Sequence, residues 1–297
     1  MMLFVSEGRL GNQIFQYAFL ETIRKLNETL IVFGFDELIE VFDMPASFLN
    51  IKKNRITNLL VFKIIRPILY FISKIRIISS ISVDREKVFE HYTREGITYT
   101  KLKGIFNFIT LVKTGYFQSE SFFDPNVVKK LVIKKKYLEL ADEFLQTIPP
   151  DAYKVFVHIR LSDYKNFTVY GKTTLLPFSY YHKCIKWFME NKKNVYFIFL
   201  SDEPETIERE FIYLKNKTIS KGNHFGTDFA IMTKCDAGIL SASSFSWWGS
   251  YLMKNRDLVI APKYWLGFAS LENCPKEPLS HFMFSVDVYD EVFDLNV

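Results

Sequence analysis

Cysteine is scarce in this sequence and shows no metal-binding spacing. The chain has 297 residues with 3 cysteines, and no Cys-x-x-Cys pair occurs. An odd number without such spacing argues against a disulfide framework and a structural zinc site. We therefore expect a reducing, cytoplasmic environment. The start also lacks a signal-peptide core, because Glu7 and Arg9 interrupt it too early, so we expect a chain that is mature from its first residue.

Other absences narrow the classes of function. No Asp-x-Asp pair, the usual acidic motif for a metal-bridged diphosphate, occurs in the chain. The third glycine of the dinucleotide-binding fingerprint is missing. Within the most apolar basic region, no uncharged stretch is longer than the one between Arg66 and Lys74, which is far too short to cross a bilayer. A net charge of +5 is too mild for a dedicated nucleic-acid-binding protein of this size, so we expect no nucleic-acid partner.

What the chain has instead is a large apolar fraction in alternating strand-like and helix-like segments. Hydrophobic residues make up 48% of the sequence, which is enough for two medium-sized domains with real cores. The alternation predicts α/β domains built on parallel sheets. Pro149-Pro150-Asp151 separates the two halves, and we therefore place domains at 1–150 and 151–297.

The most informative segment is Asp236–Tyr251, where an apolar strand leads into a serine-rich turn and a helix. We predict the strand at Ala237–Leu240 and the helix at about 247–254. A helix N-terminus presents unpaired N–H groups and the positive end of the helix dipole, so hydroxyls at this junction favour a phosphate site. The alternative is that Ser246 only caps the helix and the two tryptophans after it only pack.

A second segment contains an apolar strand, Val155–Ile159, and a cluster of charged and polar side chains at its end. The cluster consists of His158, Arg160 and Asp163. Functional groups gather at the carboxyl ends of parallel strands. Arg160 is permanently charged and forked, so it can neutralise two phosphate oxygens at once. The alternatives are a salt bridge between Arg160 and Asp163 and a core position for His158.

A third segment, Gly8–Tyr17, joins a short first strand to a helix. Glycines at such a junction let a ligand approach the backbone closely. Gly8 and Gly11 form only a Gly-x-x-Gly pair, which is weak support for a binding site when it stands alone.

In this order, the three segments resemble the bacterial alpha-1,2-fucosyltransferases. That family opens with Gly-x-x-Gly-Asn-Gln-x-x-Gln-Tyr, has a central His-x-Arg-Arg-Gly-Asp-Tyr and carries a late Ser-Ser-Phe-Ser-Trp-Trp. The first and last motifs match closely here, at Gly8–Tyr17 and Ser243–Trp248. The central motif departs, because Leu161 and Ser162 follow Arg160 where the family has Arg-Gly. One of the two cations expected near the phosphates is therefore missing.

The resemblance implies a fold, a reaction and a set of site residues. The fold is α/β and GT-B-like, with two facing Rossmann-like domains, an acceptor-side domain at 1–150 and a donor-nucleotide-binding domain at 151–297. The reaction is the inverting transfer of L-fucose from GDP-fucose, without a metal, to the 2-hydroxyl of a galactose in a surface glycan such as O-antigen or capsule. The implied donor-binding residues are Gly8, Gly11, Asn12, His158, Arg160, Asp202, Asp228, Ser243, Ser244, Phe245 and Ser246.

Chemistry supports several of these positions. Charge that develops on a leaving diphosphate requires cations or oriented dipoles, which Arg160 and the serine turn supply. Guanine and ribose require hydrogen-bond acceptors, and Asp202 and Asp228 lie at or just beyond strand ends; for Asp228 the alternative is a helix N-cap. The acceptor hydroxyl needs a base. Asp163 is our first candidate, although it could instead orient Arg160, and Glu7 is the second.

Rival functions are weaker. Gly171-Lys172-Thr173-Thr174 hints at the phosphate loop of a kinase, but the earlier glycine it requires is Asn166 and no apolar strand directly precedes it. A nicotinamide enzyme would need the full glycine fingerprint. Two alternatives stay open, a transferase for another nucleotide sugar and a non-catalytic sugar- or nucleotide-binding protein in which Leu161 marks decay of the active site.

The region Ile51–Ser82 combines basic residues with long apolar stretches and contains no acidic residue. It predicts either helices that cover the N-terminal sheet or a peripheral contact with the inner face of the cytoplasmic membrane. The membrane contact suits a galactose-terminated acceptor that is lipid-linked. A second basic cluster, at Lys129-Lys130 and Lys134-Lys135-Lys136, is typical of a solvated face.

Overall fold

The chain divides into two compact α/β units, Met1–Lys134 and Lys135–Val297. This computed structural model describes residues 1–52, 54–83 and 99–290, with the backbone alone at 55, 56 and 58. Among the described residues, no helix is both long enough and apolar enough to cross a membrane.

The first unit is built on a six-stranded sheet and a separate two-stranded sheet formed by its third and eighth strands. Its strands are β1 (Met2–Val5), β2 (Leu30–Phe33), β3 (Phe42–Asp43), β4 (Phe48–Ile51), β5 (Ile78–Ser82), β6 (Thr100–Leu102), β7 (Phe106–Val112) and β8 (Val132–Ile133). Its helices are α1 (Leu10–Ile23), α2 (Asp36–Val41), α3 (Arg55–Leu60), a π-helical turn (Val61–Ile65), α4 (Arg66–Lys74), a 3-10 turn (Glu120–Phe122) and α5 (Pro125–Val128). The sheet has the order β4-β2-β1-β7-β5-β6, and its strands are parallel except that β6 runs antiparallel to β5.

The second unit has a fully parallel six-stranded sheet. Its strands are β9 (Tyr153–Ile159), β10 (Thr168–Val169), β11 (Lys172–Thr173), β12 (Val195–Ser201), β13 (Lys217–Ile219), β14 (Ala237–Ile239), β15 (Leu258–Pro262) and β16 (Met283–Val286). Its helices are α6 (Lys135–Leu145), α7 (Phe178–Asn191), α8 (Pro204–Glu210), α9 (Phe225–Thr233) and α10 (Ser244–Tyr251), with 3-10 turns at Asp163–Lys165 and Phe268–Ser270. The two-stranded hairpin β10–β11 lies apart from the main sheet.

The strand order of the second unit explains where a ligand binds in such a fold. The order is β13-β12-β9-β14-β15-β16, so the chain moves outward from β9 in one direction and then crosses back to β14 and moves in the other. Central strands β9 and β14 are buried on both faces, as their continuous apolar sequences predict. The reversal between β9 and β14 opens a crevice at their carboxyl ends, which is where ligands bind in open α/β sheets.

The sequence places the domain boundary at the Pro149-Pro150 pair. In the structure the two units meet earlier in the chain, between Lys134 and Lys135. The cause is α6, which packs on α9 of the second unit. The ring of Tyr137 stacks on that of His224, with centroids 5.1 Å apart, and Lys234 forms an ion pair with Asp142 at 2.5 Å. Composition marks the proline pair as a break in the chain, but these contacts assign the preceding helix to the second unit.

Candidate functional site

The carboxyl ends of β9 and β14 are joined by a buried histidine. Nδ1 of His158 lies 2.7 Å from the hydroxyl oxygen of Ser241, which follows β14, and its ring lies 5.5 Å from that of Phe245. Burial, and secondarily the charge of Arg160, lowers the pKa of His158 to about 3. The imidazole is therefore neutral at neutral pH. The structure places His158 in the core position that the sequence left open, at the floor of the crevice.

Arg160 follows β9 directly and is held by two aspartates. Its Nε donates to Oδ1 of Asp163 at 2.7 Å, and its Nη1 lies 3.2 Å from Oδ2 of Asp202. Only 17% of the arginine side chain is exposed. The predicted alternative, a salt bridge to Asp163, is thus present. It fixes the orientation of the guanidinium at the mouth of the crevice, because both carboxylates constrain the planar group.

Asp202, directly after β12, organises the chain that follows Arg160. It accepts hydrogen bonds from the N–H groups of Leu161 at 3.0 Å and Ser162 at 3.1 Å, and from the hydroxyl of Ser162. Partial burial raises its pKa, but the bonds from Ser162 and Leu161 and the charge of Arg160 lower it further, so the net pKa lies below its ordinary value. Asp202 is therefore an ionised residue whose oxygens position this turn.

Leu161 occupies the place of the missing second cation. Its side chain is 4% exposed and belongs to the hydrophobic core of the second unit. A charged group at this depth without a partner is unfavourable. On this backbone, the side chain after Arg160 points into the core and leaves Arg160 as the cation that the central motif supplies.

The serine turn starts its helix earlier than the sequence predicted. α10 begins at Ser244 rather than at 247, and its N-cap is Ser243, whose hydroxyl oxygen accepts from the N–H of Phe245 at 3.4 Å. The hydroxyl of Ser246 is buried and donates back to the carbonyls of Ser241 at 3.3 Å and Ser243 at 3.1 Å. Ser244 and Phe245 keep partly exposed surfaces, so the first turn of α10 is the part of this junction that a ligand can reach.

Tyr164 connects the turn after Arg160 to the serine turn after β14. The sequence analysis did not single out this residue. Its hydroxyl donates to the carbonyl of Ala242 at 2.8 Å, and burial raises its pKa. The role of Ser162 was missed because its partner, Asp202, is distant in sequence. Ser241 was expected to offer its hydroxyl to a phosphate, whereas the structure places that hydroxyl against His158. The tyrosine that ends the family's central motif was the one available signal.

Asp228 is a buried acid in the first turn of α9. The N-cap of that helix is His224, whose Nδ1 accepts from the N–H of Gly226 at 3.1 Å, so the N-cap alternative for Asp228 is wrong. Asp228 instead accepts from the hydroxyl of Ser220 at 2.5 Å, and Asn223 donates to the same hydroxyl at 2.8 Å. Burial raises the pKa of Asp228 to about 7, although the bond from Ser220 opposes the shift.

In the first unit, the β1–α1 junction is held by internal contacts. Gly8 has φ +86°, and a Cβ at this position would lie 2.3 Å from Nδ2 of Asn12, so glycine is required. Oδ1 of Asn12 accepts from Gln118 at 2.6 Å. Gly11 is buried within α1. Glu7 forms an ion pair with Arg66 at 2.7 Å, so its carboxylate is engaged within the first unit.

The N-terminus of α1 already faces a carboxylate. The N–H of Leu10 donates to Oε2 of Glu37 at 2.7 Å, and a phosphate placed there would be repelled. Two motif glutamines also serve the fold: Gln13 accepts from the N–H of Leu38 at 2.9 Å, and Gln16 donates to two loop carbonyls. The side chains of the opening motif thus stabilise the β1–α1 junction. The geometry favours a phosphate-binding site in the second unit.

Two further sequence expectations concern loops and metals. The kinase-like run from Gly171 lies in the hairpin β10–β11, with Tyr170 and Gly171 both at positive φ in its turn. It therefore lacks the strand–loop–helix setting of a phosphate loop. In the part of the chain that the structure describes, no group of three His, Cys, Asp or Glu side chains has a geometry that could hold a metal ion.

Comparison with known proteins finds two relatives that are matched over nearly their whole length and a third that is matched over about two thirds of its length. The chain is 29% identical to an alpha-1,2-colitosyltransferase of Escherichia coli, over 91% of this chain and 95% of that protein. It is 26% identical to the O-antigen biosynthesis glycosyltransferase WbnK of Escherichia coli, over 87% and 92%. A galactoside 2-alpha-L-fucosyltransferase, SEC1 of Bos taurus, is 22% identical over 86% of this chain and 65% of that protein.

The fold and the family follow from two further comparisons. The structure matches that of a family 9 glycosyl transferase from Veillonella parvula with a TM-score of 0.56 and 13% identity, covering 98% of this chain and 88% of that one. The α/β, GT-B-like fold class is thereby confirmed. The model of glycosyl transferase family 11 matches residues 2–272. This match covers most of the chain, and the protein belongs to glycosyl transferase family 11.

Proposed function

We propose that the protein is an inverting galactoside alpha-1,2-fucosyltransferase that uses GDP-fucose and acts on a surface glycan such as O-antigen or capsule. The observation that carries the proposal is that Arg160 and the first turn of α10 follow the carboxyl ends of the adjacent parallel strands β9 and β14. This pairing offers a cation and a helix N-terminus to a departing diphosphate. The relatives named for fucosyl transfer and O-antigen synthesis support the sugar and the acceptor class.

The second unit has a group suited to each part of the donor. Arg160 and the positive end of the α10 helix dipole face the diphosphate, and they stabilise the negative charge that develops as the bond from sugar to phosphate breaks. Asp228, with its carboxylate beside Ser220, accepts hydrogen bonds from guanine. His158 and Asp202 hold the turns that carry these groups, because His158 contacts Ser241 and Asp202 accepts from Leu161.

The acceptor reacts by one displacement. The 2-hydroxyl of galactose forms a bond to C1 of fucose, GDP leaves with the electron pair of the broken bond, and the hydroxyl proton passes to a base. We assign the base to Asp163, because 56% of its side chain is exposed beside Arg160. Asp163→Asn should lose transfer by at least a hundredfold, while Glu7→Gln, which breaks the ion pair with Arg66, should lose far less. The reverse ranking would make Glu7 the base.

The reaction needs no metal in this proposal. Arg160 supplies the positive charge that a metal supplies elsewhere, and the sequence lacks an Asp-x-Asp pair. Initial rates should be the same in excess EDTA and in added Mg²⁺ or Mn²⁺. A complete loss in EDTA that either metal restores would refute this part of the proposal.

A second candidate donor is another GDP-linked deoxy sugar. It is favoured by the alpha-1,2-colitosyltransferase relative and by Leu161 in the central motif. Release of GDP should be measured with GDP-fucose, GDP-colitose and other GDP-sugars against galactose-terminated disaccharides. Fastest release with GDP-fucose supports the first proposal, whereas a preference for GDP-colitose selects the second. Tight binding of GDP without turnover of any pair would instead identify a non-catalytic binding protein.

A further inference from the structure

A stripe of apolar side chains on the first unit points away from its core. The apolar stripe consists of Leu60, Ile64, Ile68, Phe71 and Ile75, whose exposed fractions range from 43% to 61%. Spacings of three and four residues place these side chains along one face of the continuous helical segment formed by α3, the π-helical turn and α4.

The opposite face of the same helical segment is also apolar and faces inward. Val61 is buried with Val5 and Phe33, and Phe62 and Ile65 pack against this cluster. A surface helix of a globular protein normally covers the core with one face and presents polar groups on the other. Burial of the inner face therefore does not explain the apolar stripe.

Exposed apolar residues continue from the stripe onto the neighbouring sheet edge. The N–H of Ile105 donates to the carbonyl of Arg76 at 2.9 Å, and that of Phe106 to the carbonyl of Ile77 at 2.8 Å, so the β6–β7 turn lies beside the end of α4. Ile105 is 79% and Phe108 is 62% exposed. We call the stripe together with Ile105, Phe106 and Phe108 the apolar patch. Contiguous exposed apolar surfaces of this kind mark interaction sites.

The charges in the two segments that form the apolar patch are all positive, while Glu28 lies nearby, paired with the N-terminal ammonium that donates to the carbonyl of Phe108 at 2.7 Å. No acidic residue occurs at 51–83 or 99–113, and the exposed cations there include Lys63, Lys74, Arg76, Lys101 and Lys103. Arg66 is not counted among these exposed cations, because it forms an ion pair with Glu7 at 2.7 Å. Lys53 lies outside the described residues, as does the side chain of Arg55.

We propose that the apolar patch docks on the surface of an anionic lipid bilayer. Phe71, Phe106 and Phe108 would enter the boundary between headgroups and acyl chains, while the flanking lysines and arginine meet lipid phosphates. A second copy of the chain is a poorer occupant, because its cations would lie opposite identical cations. The sequence expectation for Ile51–Ser82 is thereby extended to the β6–β7 turn, and Arg66 is removed from it.

The test is co-sedimentation of the full chain with vesicles of phosphatidylcholine alone or with 30% phosphatidylglycerol, a trial composition of roughly physiological anionic content. Binding should require the anionic lipid and weaken with salt. Lys74→Gln, Arg76→Gln, Lys101→Gln and Lys103→Gln together should reduce the affinity by roughly 600-fold, from about fivefold for each of the four cations. The matched control removes as many exposed charges from the other basic cluster, as Lys129→Gln, Lys130→Gln, Lys135→Gln and Lys136→Gln, and should bind like the unmodified protein.

Insertion of the apolar side chains into the bilayer is measured separately, by tryptophan fluorescence. All 4 tryptophans lie in the second unit, at 187, 247, 248 and 265, so Phe108→Trp would report on the patch against a constant background. Its emission should shift to shorter wavelength with anionic vesicles only. Phe71→Ser with Phe106→Ser should abolish binding, while all variants should keep GDP release with a soluble disaccharide unchanged. This separates a failure of docking from a failure of the proposed enzyme.

Two results would overturn the proposal. One is the absence of binding to anionic vesicles at low salt. The other is concentration-dependent self-association, measured by sedimentation velocity without lipid, that the Phe71→Ser and Phe106→Ser pair removes. That result would assign the apolar patch to a contact between copies of the chain.

Discussion

Arg160 combines two properties that a phosphate-binding residue needs. It is largely buried, which strengthens its field, and it is ion-paired to Asp163 and Asp202, which fixes the direction of its guanidinium. A buried cation of this kind usually depends on its partners. The three residues therefore act as one unit, and the effect of removing any of them includes the effect on the other two.

Arg160→Ala should reduce transfer on the order of a hundredfold or more, as expected for loss of one charged group that faces the developing charge. Arg160→Lys keeps the charge but cannot contact both aspartates in the same way. Its transfer rate should therefore lie between those of the unmodified protein and Arg160→Ala. Steady-state rates, with thermal unfolding to verify the fold, provide the measurement. Near-normal turnover in a folded Arg160→Ala protein would assign phosphate binding to other residues.

Asp228 makes donor binding depend on pH. Its pKa is raised to about 7 by burial, and in our proposal the carboxylate form accepts from guanine. Affinity for GDP-fucose should therefore fall as the pH is lowered below about 7, by up to tenfold per pH unit. GDP-fucose is the better probe than GDP, because it has no terminal phosphate to titrate. Calorimetry from pH 5 to 8 should show this slope in the unmodified protein and none in Asp228→Asn.

Stability provides an independent check on Asp228. Between 3.8 and about 7 the native protein holds a proton on this group that the unfolded chain releases, so its contribution to the free energy of unfolding decreases as the pH rises through this interval. Asp228→Asn should be more stable than the unmodified protein at pH 8, with a smaller difference at pH 5. An equal difference at both values would contradict the raised pKa.

At the scale of elements, the strands of the second unit were predictable, whereas helix starts and side-chain partners were not. Val155–Ile159 and Ala237–Leu240 are short, largely apolar runs typical of buried strands, and both are observed within two residues of the predicted ends. The choice of cap was hidden because several serines in a row have equal capping propensity. Ser241 is engaged by His158, 83 residues away in sequence, and no local pattern encodes that contact.

The N-cap of α10 offers a prediction at this scale. Ser243→Ala removes the hydroxyl oxygen that accepts from Phe245 and should lower the free energy of unfolding by about 1 kcal/mol. Ser243→Thr keeps a cap and should recover most of this loss. Urea unfolding curves of both variants provide the measurement. If Ser243→Ala leaves the free energy of unfolding unchanged while Ser246→Ala lowers it, the cap lies at Ser246 as the sequence first indicated.

At the scale of the whole molecule, the sequence places the domain boundary after Pro150, whereas the packing contacts group α6 with the second unit. The proline pair at 149 and 150 is the strongest local break, and a compositional argument stops there. Assignment of α6 depends on contacts with α9, which are distant in sequence: Tyr137 lies against His224 and Gly226, and Asp142 against Lys234. The position of the boundary between the two units is therefore determined by tertiary packing rather than by local composition.

This assignment makes two fragments of the second unit behave differently. A fragment beginning at Lys135 keeps α6 on α9 and should unfold cooperatively in urea. A fragment beginning at Asp151 exposes the surface of α9 that Tyr137 covers, and it should have a lower midpoint or precipitate, since burial of a large aromatic side chain contributes several kcal/mol. Tyr137→Ala in the longer fragment tests the same contact without a change of length and should lower the midpoint in the same direction. Equal midpoints for the two fragments would return the boundary to the proline pair, because α6 would then contribute nothing to the stability of the unit it packs against.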